Sequence, residues 1–262
     1  MGIANPNVLT GKKPKVLTMD AMPTEGRTDI DGKPVKNVIL LSLPDAEFNI
    51  VRPELEPVDL PRYFIMHEPG EKIQYAYFLN DGMTSLVVVS KDGRSVEVGI
   101  VGREGMVGAP LAAGLQRGTF RAIMQIAGQG LRLRSEVLEE ALVTAPALQR
   151  ELSKYTLFHA LQVAQIAACN RLHEIDQRLA RWLCMCQDRV DSPSIGLTHE
   201  FLAQMLGSGR PAVTLATGAL EQRGAIEQQR GAIKVVNRKE LEAAACECYR
   251  VVGNLNGELG LR

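Results

Sequence analysis

Few residues in this 262-residue chain are spaced to do chemistry, and most of them fall between Thr198 and Arg230. Arg210, Thr214 and Thr217 lie within one candidate helix, where Val213, Ala216 or Thr217, and Leu220 pack inward and Arg210 and Thr214 lie on other faces. A guanidinium can donate two parallel hydrogen bonds to guanine O6 and N7, or hold a phosphate. Hydroxyls can reach a base edge or a phosphate oxygen. Thr198, Ser208, Pro211 and Arg230 flank this set. The chemistry is recognition. A P-loop, a dinucleotide fingerprint, a nucleophile elbow and His/Glu metal spacing are all missing, and the four histidines are scattered, so no enzyme is expected.

The other reactive side chains are five cysteines, all after residue 168, including Cys184-x-Cys186 and Cys246-x-Cys248. An odd number confined to one half is not a secreted disulfide framework. Residues two apart on a helix point away from each other, so the pairs are read as buried structural thiols and no metal is expected.

The elements that must position the recognition set follow from local signals. Leu197-Thr198-His199-Glu200 opens a helix capped by Thr198, with Phe201, Leu202 and Leu206 as its apolar face. Gly207-Ser208-Gly209 is a tight turn suited to a left-handed backbone. Arg210-Pro211 then starts a second helix, to about Arg223, with Pro in its first turn. Two short strands, 225–228 and 232–236, joined at Gln229-Arg230-Gly231, form a wing, and Lys239 to Tyr249 closes the unit as one helix. Helix, glycine turn, helix and wing make a winged helix-turn-helix. From Leu197 to Arg238 five basic residues face three acidic ones, a slight local excess in a chain whose 30 Lys+Arg and 30 Asp+Glu balance.

Upstream, the texture is β. Short runs rich in β-branched and aromatic residues (75–79, 85–90, 95–101, 119–126 and 130–133) alternate with turn signals such as Asn80-Asp81-Gly82 and Asp92-Gly93, which predicts a small antiparallel barrel or jelly roll. From Pro146 to about Val190 nothing breaks a helix. Leu157, Leu161, Ala164, Ala168 and Leu172 make one apolar stripe, and Leu148, Leu152, Tyr155, His159 and Ile166 a second beside it. A helix with two apolar faces has two things to cover: the barrel on one side and a twin helix on the other. The fold class is therefore α+β: a flexible tail over 1–34, a jelly-roll sensor over 35–144, a dimerisation helix and hinge over 145–190, and a winged helix-turn-helix over 191–252. No apolar run is long enough to span a membrane and no signal peptide opens the chain, which reads as cytoplasmic.

The stretches Leu197 to Ala203, Met205-Leu206-Gly207, Arg210 to Thr214 and Leu220 to Ile226 resemble the C-terminal domain of the Crp/Fnr family of bacterial transcription regulators. Cys169 to His173, Gln177 to Leu183 and Val98 to Gly108 are similar to its hinge and sensor segments. The resemblance covers about residues 38 to 250. It implies a homodimer on palindromic duplex DNA, with Thr198, Ser208, Arg210, Pro211, Thr214, Thr217 and Arg230 as DNA contacts and RNA polymerase as a partner; the alternative is a dimeric small-molecule sensor or interaction protein of the same fold with little DNA binding. The resemblance also locates a ligand pocket at Gly102, Arg103, Glu104 and Gly105, with Arg117 and Thr119 nearest to the Arg–Ser/Thr pair that holds a cyclic phosphate. That pair is out of step, which argues against a cyclic nucleotide. The lack of cysteines before Cys169 argues against the iron–sulfur cluster of the oxygen-sensing branch. His67, the one barrel histidine, sits in a turn and is not read as a haem ligand. Pro211 and Leu215 stand where the best-known members carry a glutamate and a second arginine, so their operator sequence does not carry over.

Overall fold

A computed structural model describes residues 26–190 and 192–260. Residues 1–25, most of the segment read as a tail, lie outside the described residues. From Arg27 onward that segment is anchored: the Arg27 guanidinium donates to the Leu40 carbonyl at 2.6 Å and pairs with Asp45 at 2.8 Å, and Arg52 donates to the Thr28 carbonyl at 2.7 Å.

Two short helices, α1 (Val38–Ser42) and α2 (Asp45–Val51), lead into eight strands. These are β1 (Glu56–Leu60), β2 (Ile65–His67), β3 (Tyr75–Leu79), β4 (Met83–Val89), β5 (Ser95–Val101), β6 (Met106–Val107), β7 (Arg121–Ile126) and β8 (Gly128–Arg134). They form two four-stranded antiparallel sheets, ordered β1-β8-β3-β6 and β2-β7-β4-β5, as the jelly-roll reading requires. Alternation puts Phe78, Leu86, Ile100, Met124, Leu131 and Leu133 into the core. Gly82 turns β3 into β4 at φ +76°, and a Cβ there would stand 2.6 Å from the Ile126 carbonyl oxygen, so both its backbone angle and its neighbours demand glycine.

Helix α3 (Ser135–Thr144) leads to α4 (Pro146–Leu172), 27 residues long and opened by Pro146. Leu148, Leu152, Tyr155, Phe158 and Ile166 on α4 are buried. Gln162 joins them and accepts the Ile100 N–H at 3.0 Å, which ties α4 to β5. The helix expected to run on to Val190 instead ends at His173, and α5 (Ile175–Gln187) starts afresh. The reason is a capping box: Glu174 is extended, its side chain accepts from the N3 backbone, and Gln177 accepts the Glu174 N–H at 3.3 Å.

The C-terminal half contains β9 (Ser194–Ile195), α6 (His199–Met205), α7 (Arg210–Gln222), β10 (Ile226–Gln229), β11 (Ala232–Val235), α8 (Arg238–Ala244) and α9 (Cys248–Glu258). Strands β10, β11 and β9 form the wing sheet. Helix α5 packs within this half. Trp182 meets Phe201 edge-on at 6.3 Å, and Arg238 donates to the Cys184 carbonyl at 3.2 Å and to Gln187 at 2.9 Å. Helix α5, which precedes the boundary expected at residue 191, thus packs on elements that follow it. The single closing helix is also two, because Ala245 turns extended at φ −72°, ψ 146° after α8 and α9 begins only at Cys248.

Candidate nucleic-acid interface

Helices α6 and α7 are set by one cap and one turn. Thr198 Oγ1 accepts the Phe201 N–H at 3.2 Å, and Gly207 takes the left-handed conformation at φ +57°. The Ser208 N–H donates back to the Ala203 carbonyl at 2.9 Å, and α7 then begins at Arg210 with Pro211 in its first turn. Val213, Ala216, Thr217 and Leu220 are the buried side of α7. Arg210, Pro211, Thr214 and Leu215 are exposed, Leu215 to 76%.

The structure brings Arg210, Pro211 and Thr214 to one outward face, while Thr198 and the half-buried Ser208 serve local backbone geometry at its edge. Thr217 is a correction. Its side chain is fully buried, donates to the Val213 carbonyl and lies 3.4 Å from His199 Nε2, so it cannot also meet a base. The step of three from Thr214 crosses the helix from the outward to the inward side. Two residues outside the expected set bear on this face. His199 on α6 has Nδ1 3.0 Å from Thr214 Oγ1, which joins the two helices and orients the Thr214 hydroxyl. Nothing in its spacing announces that role. Leu215 is the other: an apolar side chain left in water on a helix is a contact without a partner.

Arg230 stands exposed at the tip of the β10–β11 hairpin, where Gly231 takes φ +73°. Glu221, at the end of α7, accepts both the backbone and the side-chain N–H of Gln228, each at 2.8 Å, and so fixes the wing against α7. Those bonds hold its carboxyl below the usual glutamate range. Arg210 forms no ion pair among the described residues.

The presumed sensor pocket is differently placed. The Gly102 to Gly105 turn faces the C-terminal half. Buried Glu104 accepts the Gly102 N–H at 3.1 Å and pairs with buried Arg189 at 2.8 Å, and a Cβ at Gly105 would run into the Tyr155 ring on α4. Arg103 is exposed. Arg117 donates to the Gly70 carbonyl at 2.6 Å, and both it and Thr119 are exposed on a loop. The six residues therefore do not line one cavity, and the glycines make room for α4 and Arg189 instead of for an anion. His67 lies buried in β2, where Gly118 leaves room for its ring and burial lowers its pKa.

Between the halves, the β4–β5 hairpin reaches the helix-turn-helix. Gln204 on α6 donates to Ser95 Oγ at 2.6 Å, and the hairpin, α6 and the turn before Arg210 enclose a cleft of about 970 Å³. Deeper, the Trp182 indole donates to Glu97 at 2.6 Å, and Ser85 donates to the same carboxyl. Burial pushes the Glu97 carboxyl up to about 7.

Residues 177–244 match the family model of the Crp-like helix-turn-helix domain. By structure the chain is similar to FixK2 from Bradyrhizobium japonicum, with 16% identity, 73% of this chain and 98% of that one covered, and a TM-score of 0.62. It is similar to the c-di-GMP responsive global regulator CLP of Xanthomonas campestris, at 14% identity, 73% and 99% coverage and a TM-score of 0.61. It is also similar to the CRP-family transcriptional regulator TTHB099 of Thermus thermophilus, at 21% identity, 72% and 96% coverage and a TM-score of 0.58. No curated protein matches the sequence. No helix among the described residues is long and apolar enough to cross a membrane. With the jelly roll, the α4 helix and the winged unit in the order those structures share, the chain has the fold of these Crp/Fnr-type regulators, and its residues 177–244 are a Crp-like helix-turn-helix domain.

Proposed function

We propose that the protein is a homodimeric, sequence-specific transcription regulator that lays α7 in the major groove of a palindromic site. The observation that carries this reading is the outward face of α7. Arg210 offers a fork of donors for guanine or phosphate, Thr214 a positioned hydroxyl, and Leu215 an apolar surface of the kind that meets a thymine methyl. Gly218 on the same helix has no atom of the chain near its missing side chain, which leaves space for close approach of a DNA backbone. Arg230 on the wing and Thr198 at the start of α6 reach phosphates.

A dimer is supported by α4. Leu157, Leu161 and Leu172 are exposed to 53%, 37% and 73%, and Ala164 and Ala168 are exposed between them, so the stripe buried on its other side by the jelly roll has a second apolar stripe facing water. A twin helix on that stripe would carry two α7 helices into successive major grooves about 34 Å apart. A signal would act at the hinge around residues 170–176 by changing the angle between α4 and the DNA-binding half, and the bound dimer would act on RNA polymerase.

The test is recovery of genomic DNA fragments by the full chain without added ligand, beside an Arg210→Ala variant. The expected result is one shared palindrome, bound about 5- to 150-fold more weakly by the variant, the equivalent of about 1–3 kcal/mol. Equal enrichment by both proteins would remove Arg210 and the α7 face from the reading.

A further inference from the structure

The fold gathers four ligand-bearing side chains that the sequence scatters over 80 residues. Cys169 and His173 are four apart at the C-terminal end of α4 and so share a face. Cys246 lies in the non-helical link between α8 and α9, and Cys248 is the first residue of α9. Because Cys246 stands outside helical geometry, the rule that residues two apart diverge on a helix does not apply, and the two thiols converge. The four ligand atoms all lie within 4.8 Å of one another. Cys169 Sγ is 3.4 Å from Cys246 Sγ, and Cys248 Sγ is 3.6 Å from His173 Nδ1. The three cysteines are buried in a cluster of their own, apart from the main core.

We propose that this set is a mononuclear metal site for a borderline-soft divalent cation of the zinc type, held by Cys169, Cys246 and Cys248 through Sγ and by His173 through Nδ1. A tetrahedral ion with bonds of about 2.3 Å to sulfur needs its sulfurs about 3.8 Å apart, close to the spacing found, and three thiolates with one imidazole is a donor set such ions take. An iron–sulfur cluster, whose ligands bind different irons, needs a wider frame. The surroundings complete the site. His173 Nε2 lies 3.1 Å from Glu247 Oε1, the carboxylate partner that fixes the tautomer with Nδ1 free to bind metal. Gln165 donates an amide N–H to Cys248 Sγ at 3.1 Å.

The site's charge also has cations beside it. A divalent ion with three thiolates carries a net −1. Arg178 and Arg181, which act electrostatically on Cys169 and Cys246, form no ion pair among the described residues, and Arg181 is buried. Binding releases the thiol protons to solvent and involves no redox change. The bound ion staples the end of α4 to the α8–α9 corner, next to the hinge.

The test uses the full chain, purified anaerobically with reductant, stripped with a chelator and titrated with Zn²⁺ and with Co²⁺. The expected result is one ion per chain and, with Co²⁺, the thiolate-to-cobalt charge-transfer and d–d bands of a tetrahedral ion. Cys246→Ser should abolish those bands, and Cys184→Ala, a buried thiol elsewhere, should keep them. Glu247→Ala, which removes only an exposed carboxylate, should fold normally and weaken binding about 10- to 100-fold. Wild-type protein that shows no tetrahedral thiolate spectrum would overturn the site. So would a Cys169–Cys246 disulfide without metal in the anaerobic preparation, or a Glu247→Ala variant that binds as tightly as wild type. Because the readout is metal content and spectrum, these results do not depend on DNA binding.

Discussion

Ionising Glu97 should weaken the fold, and Glu97→Gln should remove that penalty. The carboxyl is buried between β5 and α5, bonded to Trp182 and Ser85, with Arg181, Arg189 and the Cys186 thiol around it. Desolvation outweighs the hydrogen bonds and the arginines and raises its pKa from 4.5 to about 7. Between those values the folded state holds a proton that the unfolded chain has released. Stability from this group is therefore complete below pH 4.5 and is lost as pH rises through 7. At about 1.4 kcal/mol per unit, the total is about 3 kcal/mol, of which about 2 falls between pH 5.5 and 7. A glutamine keeps an acceptor for the Trp182 indole and cannot ionise. Urea unfolding of both proteins at several pH values from about 5 to 8.5, followed by Trp182 fluorescence, measures the difference directly. The wild type should lose stability with pH relative to Glu97→Gln by about that amount. Parallel profiles would refute the reasoning and mean that the arginines already hold the carboxylate charged.

Two further outcomes follow from packing. Gly105→Ala drives a methyl into the Tyr155 ring on α4 and should destabilise the protein by about 1–3 kcal/mol, with a lower urea midpoint and an unchanged m-value. Leu161→Glu places a charge in the middle of the exposed α4 stripe, and sedimentation equilibrium should show monomers where the wild type is dimeric, with the urea midpoint little changed because the side chain is already partly in water.

Much of this architecture is legible in the sequence because its signals are local. Asp92-Gly93 marks the β4–β5 hairpin, Pro146 opens α4, and Gly207 with Pro211 brackets the turn into α7. Short strands are harder: β6 has two residues and β2 three, too few to show a period of two. The break at His173–Glu174 was hidden because the apolar pattern continues through it, although Glu174 and Gln177 carry the capping-box spacing. At the site, helical position already sets Arg210 and Thr214 apart from the inward face but leaves that face open between Ala216 and Thr217; the structure buries both. The cysteine–histidine cluster is invisible because its halves come from α4 and from the α8–α9 link, and only the docking of one on the other unites them.

That docking is built from two kinds of contact with different consequences. Trp182 and Phe201 belong to the apolar core of the DNA-binding half, and separating them costs hydrophobic energy in any pose. The same apolar core continues into the jelly roll, and polar ties are added to it there: Glu97 to Trp182, Glu104 to Arg189, and Ser95 to Gln204. A buried ion pair such as Glu104–Arg189 gains little over its hydrated ions, because desolvation offsets most of the Coulomb attraction. Opening that returns water to both groups is then inexpensive, whereas opening that leaves one of them dry is not. The capping box at Glu174 lets α5 move against α4 without breaking a helical hydrogen bond, since the ladder already stops at His173. The helix break at residues 173–174 is therefore where the proposed change of angle between α4 and the C-terminal half would fall, and an ion held by Cys169, His173, Cys246 and Cys248 would restrain it.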